Sequence, residues 1–243
     1  MTEFLVGLLA GALGTIILAF LGPIRRLAER ISRTLVKESL IDVLVDRDQA
    51  VIWAGAPPWV GASYFFEGDL PESTPPLACF DWSKWVESNQ GYDYGESQLL
   101  VTIQAKLDVS VVVDSPIVRV IGRREANGVV ATCPAGGASL TPRRFDVELD
   151  GFDVPTVAFN DEGLTNSRMA GFSLTKDDVE RIHIWARTDG SQLVEWSLEI
   201  PLIVNGKRSM KNLGTFITVG SQTSHREFHR NTDGGWSSQE TPD

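Results

Sequence analysis

Residues 181–200, RIHIWARTDGSQLVEWSLEI, contain two runs in which apolar and polar side chains alternate. A period of two puts every second side chain on one face of a β-strand, so each run predicts a strand with one buried face. The loop between them, Thr188–Gly190, predicts a three-residue hairpin turn that ends on a glycine in the left-handed conformation. This turn would place Ile184 opposite Val194 and would bring the two apolar faces together.

A second hairpin is predicted at Asn205–Gly206, because this dipeptide favours a two-residue type I′ turn. The turn would pair Leu198 with Leu213 and Trp196 with Thr215. Further strands are expected at 99–106, 107–113, 117–121 and 144–149. Helices do not alternate with these strands, so a parallel α/β sheet is excluded. The sequence predicts a mainly β fold, an immunoglobulin-like antiparallel β-sandwich.

The composition changes along the chain and divides it into segments. The sequence predicts a transmembrane helix at 1–24, a juxtamembrane amphipathic helix at 25–48, an irregular Trp- and Pro-rich segment at 49–95, the β-sandwich at 96–230 and a disordered tail at 231–243. The irregular segment is too aromatic for a solvated linker. We therefore expect it to pack on the body, with one strand around Ala62–Phe66.

Residues 4–24 carry no charged side chain, and an apolar helix of that length spans roughly 30 Å of hydrocarbon. A cleaved signal peptide would need a basic n-region and a small-residue cleavage site, and neither is present. A basic cluster follows the apolar run: Arg25, Arg26, Arg30, Arg33 and Lys37. Because short basic flanks stay in the cytoplasm, we expect a single-pass inner-membrane protein with a cytoplasmic C-terminal domain.

Small residues recur within the apolar run at Gly7, Gly11 and Gly14. Gly7 and Gly11 have the spacing that allows two membrane helices to pack closely. The bilayer is the expected partner of residues 4–24, and a homo-oligomer through this helix is one alternative. The other alternative is that the glycines only reflect the ordinary composition of membrane helices.

The formal net charge of the chain is −10, and residues 1–48 are neutral, so the remainder carries the whole excess. An acidic body opposes binding to phosphate backbones, which requires clustered lysine and arginine side chains. We therefore expect no nucleic acid among the partners.

The chain has two cysteines, Cys79 and Cys133. Their spacing is typical of neither a zinc site nor a redox motif. A cytoplasmic domain would keep both thiols reduced, whereas an extracytoplasmic domain could join them in one disulfide. The sequence leaves these two alternatives open.

His225, Glu227 and His229 are the candidates for metal binding, because alternate residues of a strand share one face. The neighbouring Arg226 and Arg230 oppose a cation there, and the order differs from the motif of zinc proteases. His183 is instead expected to form an ion pair across the first hairpin with Glu195. No nucleophile elbow, phosphate loop or dinucleotide fingerprint occurs, so we expect neither an enzyme nor a cofactor.

Three stretches, Arg144–Asp150, Asp177–Glu180 and Glu195–Glu199 with Gly206 and Lys207 after it, resemble a family of uncharacterised bacterial proteins of unknown function. Members of that family have an N-terminal membrane helix and a C-terminal β-sandwich. The resemblance extends from residue 98 to residue 219 and implies the fold, but it implies no activity.

These expectations describe a membrane-anchored β-sandwich that serves as a protein-binding or scaffolding module. The partner protein is unknown, and residues 49–95 are the first place to look for its contact surface. The alternatives are a component of a homo-oligomeric membrane assembly and a metal-dependent hydrolase.

Overall fold

The computed structural model describes residues 40–53, 62–107, 109–133, 144–151, 155–161, 164–165, 173–223, 225–231 and 233–239. The chain divides into two compact units, 1–40 and 41–243. The transmembrane helix predicted at 1–24, with its glycines, and the basic cluster at 25–37 lie outside the described residues. Within the described part, no helix has the length and hydrophobicity needed to cross a membrane.

Strands dominate the part of the chain that the structure describes, which confirms the prediction of a mainly β fold. In chain order the elements are β1 (Ile41–Asp46), α1 (Gln49–Ile52), β2 (Ala62–Glu67), a 3₁₀ helix (Cys79–Asp81), α2 (Trp82–Ser88), β3 (Tyr92–Tyr94), β4 (Glu96–Ala105), β5 (Val111–Val113), β6 (Ile117–Glu125), β7 (Gly128–Cys133), β8 (Arg144–Glu148), β9 (Thr156–Asp161), β10 (Leu164–Thr165), β11 (Ser173–Leu174), β12 (Val179–Arg187), β13 (Gln192–Val204), β14 (Lys207–Val219), β15 (His225–Arg230) and β16 (Trp236–Gln239).

The strands form two sheets. The six-stranded sheet has the order β1-β4-β12-β8-β9-β10, and the ten-stranded sheet has the order β11-β5-β13-β14-β3-β2-β7-β15-β16, with β6 paired to β13. Most neighbours are antiparallel, but β8–β12, β3–β14 and β7–β15 are parallel. The sheets are therefore mixed, which corrects the expectation of purely antiparallel pairing. Turn signals reveal hairpins, but they do not reveal parallel neighbours that are distant in sequence.

The alternating patterns predict the buried face of each long strand correctly. On β12, the side chains of Ile182, Ile184 and Ala186 are at most 1% exposed. The same is true of Val194 and Trp196 on β13. Each sheet thus contributes one apolar face to the core, as a period of two requires.

The pairing predicted for the first hairpin is wrong, because β12 lies in the six-stranded sheet and β13 in the ten-stranded sheet. Ile184 lies opposite Leu99 of β4 and Phe145 of β8, and not opposite Val194. Alternation determines which face of a strand is buried, but it does not determine the neighbouring strand. Two buried faces in separate sheets satisfy the same pattern as two paired strands.

His183 consequently has other neighbours than the predicted Glu195. It lies beside Arg144 of the parallel strand β8. Burial lowers the pKa of His183, and the positive charges of Arg144 and Arg181 lower it further. The side chain is therefore neutral at pH 7, and the expected ion pair with Glu195 is not formed.

The segment from Thr188 to Gly190 is a crossover between the sheets, and Asp150 holds it in place. Thr188 Oγ1 donates a hydrogen bond to Asp150 Oδ1 at 2.6 Å, and the Asp189 backbone N–H donates to Asp150 Oδ2 at 2.6 Å. Both carboxylate oxygens are thus used to fix the turn. This contact joins the end of β8 to the start of the crossover.

The prediction for the second hairpin is correct at the turn, but the predicted pairing register is wrong by one residue further along the strands. Asn205 and Gly206 have φ values of 49° and 77°, as a type I′ turn requires. Beyond Glu199 a β-bulge shifts the register, so Leu198 pairs with Gly214 and Trp196 with Phe216. The extra residue is Leu213, and a bulge of one residue moves every later pair by one.

The helix predicted at 25–48 is wrong for its last part, because Ile41–Asp46 is the edge strand β1. It pairs with β4 in antiparallel register, from Ile41 opposite Ala105 to Asp46 opposite Leu100. The β-branched residues Ile41, Val43 and Val45 occupy every second position of this stretch, and such residues favour a pleated surface over a helix. A short helix, α1, begins after Asp48, whose side chain accepts from the Ala50 backbone N–H at 3.0 Å.

Part of the segment 49–95 packs on the ten-stranded sheet through tryptophan side chains. Trp82 is fully buried, and its ring contacts Trp85 and Trp236 at centroid distances of 5.3 and 5.9 Å. Trp236 belongs to β16, so the prediction of a disordered tail is wrong for residues 233–239. The tail is polar except for Trp236, and burial of that ring together with pairing to β15 orders it.

A disulfide joins Cys79 of the 3₁₀ helix to Cys133 at the end of β7, with the two Cα atoms 5.7 Å apart. Of the two alternatives that the sequence left open, the structure contains the disulfide. The bond fixes the tryptophan-bearing helix to the sheet beneath it. It also closes a loop between residues that are 54 positions apart.

Candidate binding cleft

Two cavities meet at Asp93 and Tyr64, on the central strands of the ten-stranded sheet. The first, called the polar cleft here, has a volume of about 470 Å³, and its walls include Asp93, Glu96, Gln98 and Thr132. The second, of about 510 Å³, lies on the other side of Asp93 against Phe216. Volumes of this size are typical of small-molecule or side-chain binding sites.

Two glycines, one on each side of β3, determine the path of the backbone around Asp93. Gly91 precedes β3, and a Cβ atom there would lie 2.6 Å from the Phe66 ring, so only glycine allows this approach. Gly95 follows β3 with φ of +76°, a left-handed conformation that glycine adopts without strain. The chain then leaves the ten-stranded sheet and starts β4 of the other sheet. Asp93 therefore lies at the crossing between the sheets.

A chain of hydrogen bonds connects Asp93 to the core. Trp196 Nε1 donates to Thr218 Oγ1 at 2.9 Å, and Ser97 Oγ donates to Asp93 Oδ2 at 2.5 Å. Because the Ser97 proton is used in this way, Thr218 must donate to Ser97 Oγ across their 2.7 Å contact. Trp196, Thr218 and Ser97 are all fully buried. Every donor thus points toward the carboxylate, and such chains strengthen each member.

The Asp93 side chain is only 16% exposed, and Arg47, which is 51% exposed, lies 3.4 Å from its Oδ2. Burial raises the pKa of Asp93, while Arg47 and Ser97 offset part of this effect. The titratable neighbours on other elements are Tyr64 and Glu96. Burial also raises the pKa of Tyr64, and the charge of Asp93 adds to the increase. A desolvated carboxyl group with a raised pKa beside two cavities is typical of functional sites.

We expect Asp93→Asn to make the protein about 1 kcal/mol more stable at pH 8. The raised pKa means that the folded state disfavours the charged form of Asp93. The resulting loss of stability is absent well below the ordinary pKa of 3.8, grows as the pH rises from there to the pKa of the folded state, and is then constant. Asparagine keeps an oxygen that can accept from Ser97. Urea unfolding of both proteins from pH 4 to pH 8 measures the difference.

The control for this prediction is Asp69→Asn, because Asp69 is 88% exposed and its ion pair with Arg226 lies on the surface. We expect this change to alter stability by less than about 0.5 kcal/mol. A wild-type protein that is more stable than Asp93→Asn, by a margin that widens as the pH rises, would contradict the assigned cost of the charge.

Two of the side chains that line the polar cleft are the amides of Gln49 and Gln98, and the indole of Trp53 orients both. Trp53 Nε1 donates to Gln49 Oε1 at 2.7 Å and to Gln98 Oε1 at 3.1 Å. Gln98 Nε2 in turn donates to Glu96 Oε1 at 2.6 Å. The other Glu96 oxygen lies 3.7 Å from Arg187 Nε. The amides therefore have fixed orientations before any ligand arrives.

The three metal candidates lie near the cleft, in contact with its lining residues or with one another. Thr132 Oγ1 donates to Glu227 Oε1 at 2.9 Å, so Ser63 must donate to Thr132 across their 3.0 Å contact. His229 Nε2 lies 3.4 Å from the same Glu227 oxygen. His225 contacts the Tyr94 ring edge-on, with centroids 4.8 Å apart. Among the described residues, no three His, Cys, Asp or Glu side chains are placed to hold a metal ion.

The sequence did not identify the residues at the centre of this cleft. Asp93 was one acidic residue among many, and Ser97 and Thr218 are 121 positions apart. The one local signal is the pair of glycines, Gly91 and Gly95, that bracket a short aromatic and acidic strand. Two glycines so close together between a helix and a strand indicate tight backbone approaches.

Comparison with known proteins identifies no family for the chain. No family model matches it, and no curated protein is significantly similar to it. A crystal structure described as ApaA from Bordetella pertussis is 10% identical over 75% of this chain and 97% of that chain, with a TM-score of 0.28. Similarity at this level carries no argument about fold or function. The resemblance to membrane-anchored β-sandwich proteins therefore stays a hypothesis.

Proposed function

We propose that this protein is a membrane-anchored binding module that recognises a partner protein at the polar cleft. The observation that carries the proposal is Asp93, a largely buried carboxyl group between two cavities whose pKa is raised by burial. Perturbed pKa values cluster at functional sites, and a group of this kind in a cleft is a candidate for binding. The fixed amides of Gln49 and Gln98 support the same proposal, because preorganised groups lower the cost of binding.

The proposed architecture is an immunoglobulin-like β-sandwich tethered by residues 4–24. The two mixed sheets, each with one buried face, support the sandwich. The apolar run of the sequence supports the tether. A sandwich of this kind offers clefts and loops to partners while its core stays rigid. Nothing in the proposal requires catalysis or a cofactor.

Two observations predict opposite sides of the membrane for the body. The basic cluster at 25–37 favours the cytoplasm, whereas the disulfide between Cys79 and Cys133 is typical of oxidising compartments. We propose the oxidising side, because charge rules for a single span have exceptions. Cysteine alkylation after acid quenching and denaturation of the cells separates the two proposals, because Cys133 is buried in the folded protein. Thiols that react only after reduction support the oxidising side, and two thiols that react without reduction support the cytoplasm.

Photo-crosslinking from the cleft tests the binding function. A photoreactive amino acid at Ser63, on the cleft wall, is expected to form a discrete protein adduct in intact membranes. The same amino acid at Ile121 is the control, because that side chain is 56% exposed and does not line the cleft. The adduct from position 63 should disappear when Asp93→Asn is combined with Glu96→Gln.

The proposal would be wrong if both positions gave the same adducts, or if the double substitution left the adduct at position 63 unchanged. It would also be wrong if position 63 formed no adduct in membranes that contain the native set of proteins. Comparison of the two positions separates recognition at the cleft from random collision.

A further inference from the structure

The charges on the walls of the polar cleft have one sign. Asp93 and Glu96 line it, and neither lysine nor arginine does so among the described residues. The second cleft differs, because Arg47 and Lys84 line it together with acidic side chains. Arg47 and Arg187 approach these two carboxylates from outside the lining, so the lining itself is acidic and favours a cation over an anion.

The hydrogen bonds around the polar cleft use the protons of three of its hydroxyl groups, those of Ser63, Thr132 and Tyr94. Ser63 donates to Thr132, and Thr132 donates to Glu227. The Tyr94 hydroxyl donates to the Ser221 carbonyl oxygen at 2.7 Å. Each of these groups has given its only proton to the protein, so each presents oxygen lone pairs to a ligand.

The two carboxylates have acceptor capacity left as well. Asp93 Oδ2 receives both Ser97 and Arg47, and within the described part of the chain Oδ1 has no hydrogen-bond partner. Glu96 Oε1 receives one amide hydrogen from Gln98. Donors remain among the lining side chains at Gln49, Gln98 and Tyr64. A site that is rich in acceptors and poor in donors requires a ligand that supplies N–H groups.

We infer that the polar cleft binds a protonated amine or guanidinium group, which donates hydrogen bonds to the acceptors around Asp93 and Glu96. This inference rests on the proposed binding function and specifies its ligand. The group can come from a lysine or arginine side chain of the partner protein or from a free polyamine. The volume of about 470 Å³ accepts such a group together with the chain that carries it.

The test uses the full-length protein in detergent micelles and isothermal titration at low salt. Nα-acetylarginine amide and spermidine represent the two sources, and Nα-acetylcitrulline amide is the neutral counterpart of the first. We expect at least one cationic ligand to bind, and we expect citrulline amide to bind at least about 10-fold more weakly than arginine amide. Asp93→Asn with Glu96→Gln should weaken the cation by at least about 10-fold.

The control variant is Glu199→Gln, which removes a carboxylate that pairs with Arg119 away from the cleft. Its affinity for the cation should remain within about twofold of wild type. Circular dichroism of the double variant verifies that it is folded. Equal binding of arginine and citrulline amides, absence of cation binding, or unchanged affinity in the folded double variant would overturn the inference. If position 63 still crosslinks to a partner in those cases, the binding function stands without its cationic ligand.

Discussion

Replacement of both cysteines by serine is expected to lower the free energy of unfolding by about 4 kcal/mol. The disulfide closes a loop between residues 54 positions apart, and such a loop gains much conformational entropy when the bond is absent from the unfolded chain. The bond also fixes the helix that begins at Cys79 to the end of β7. Urea unfolding of the full-length protein, followed by tryptophan fluorescence, measures the loss.

Wild-type protein treated with reductant is the matched control for Cys79→Ser with Cys133→Ser. Reduced wild type and the double variant should unfold at the same urea concentration, because both lack the bond and nothing else of consequence differs. An oxidised wild type that unfolds at the same concentration as the variant would show that the bond does not constrain the unfolded chain.

Trp82→Ala should cost about 4 kcal/mol of stability. The Trp82 ring is fully buried between Tyr64, Trp85 and Trp236, and its Nε1 donates to the Pro76 carbonyl oxygen at 2.9 Å. The substitution leaves a large cavity and an acceptor without its donor. Because the ring supports Trp236, we also expect β16 to detach from β15, which faster hydrogen exchange in residues 236–239 would report.

The comparison for this prediction is Trp185→Ala on the outer face of the six-stranded sheet. Trp185 is partly exposed and lies between the guanidinium groups of Arg144 and Arg187, each 4.7 Å from its ring. Loss of a partly exposed ring costs less, about 1–2 kcal/mol. If Trp82→Ala cost no more than Trp185→Ala, the buried tryptophan cluster would not be a main source of stability.

The strands were predictable from the sequence because a strand with one buried face shows alternating apolar and polar residues. The alternation in β8, β12 and β13 needs only the side chains of one strand, and Asn205–Gly206 specifies its own turn. The local pattern does not indicate the sheet to which a strand belongs. The pairing of β12 with β4 and β8 joins segments that are distant in sequence. The crossover between β12 and β13 is likewise fixed by tertiary contacts, among them the hydrogen bonds to Asp150.

The predictions for Ile41–Asp46 and for the C-terminal tail were wrong for a similar reason. The sequence of Ile41–Asp46 is compatible with a helix and with a strand. Pairing with the edge of β4 stabilises the strand. Among the polar C-terminal residues, only the Trp236 side chain is large and apolar. Its packing depends on contact with the Trp82 ring, which is distant in sequence. A single aromatic side chain does not change the composition of a segment, so composition alone predicts disorder.

The cleft could not be predicted because its chemistry is distributed over many elements. Asp93, Ser97, Thr218 and Trp196 come from four strands in two sheets, and only folding aligns their hydrogen bonds. The sequence instead drew attention to His225, Glu227 and His229, whose regular spacing is visible without a structure. In the folded protein Glu227 accepts a hydrogen bond from Thr132, which lines the cleft.

The measurement that tests the central claim most directly is competition of the crosslink at position 63 in native membranes. Excess Nα-acetylarginine amide is added before illumination, and Nα-acetylcitrulline amide is added to a parallel sample. We predict that the arginine compound removes most of the partner adduct and that the citrulline compound leaves it in place. Equal loss of the adduct with both compounds, or no loss with either, would contradict recognition of a cationic group at Asp93.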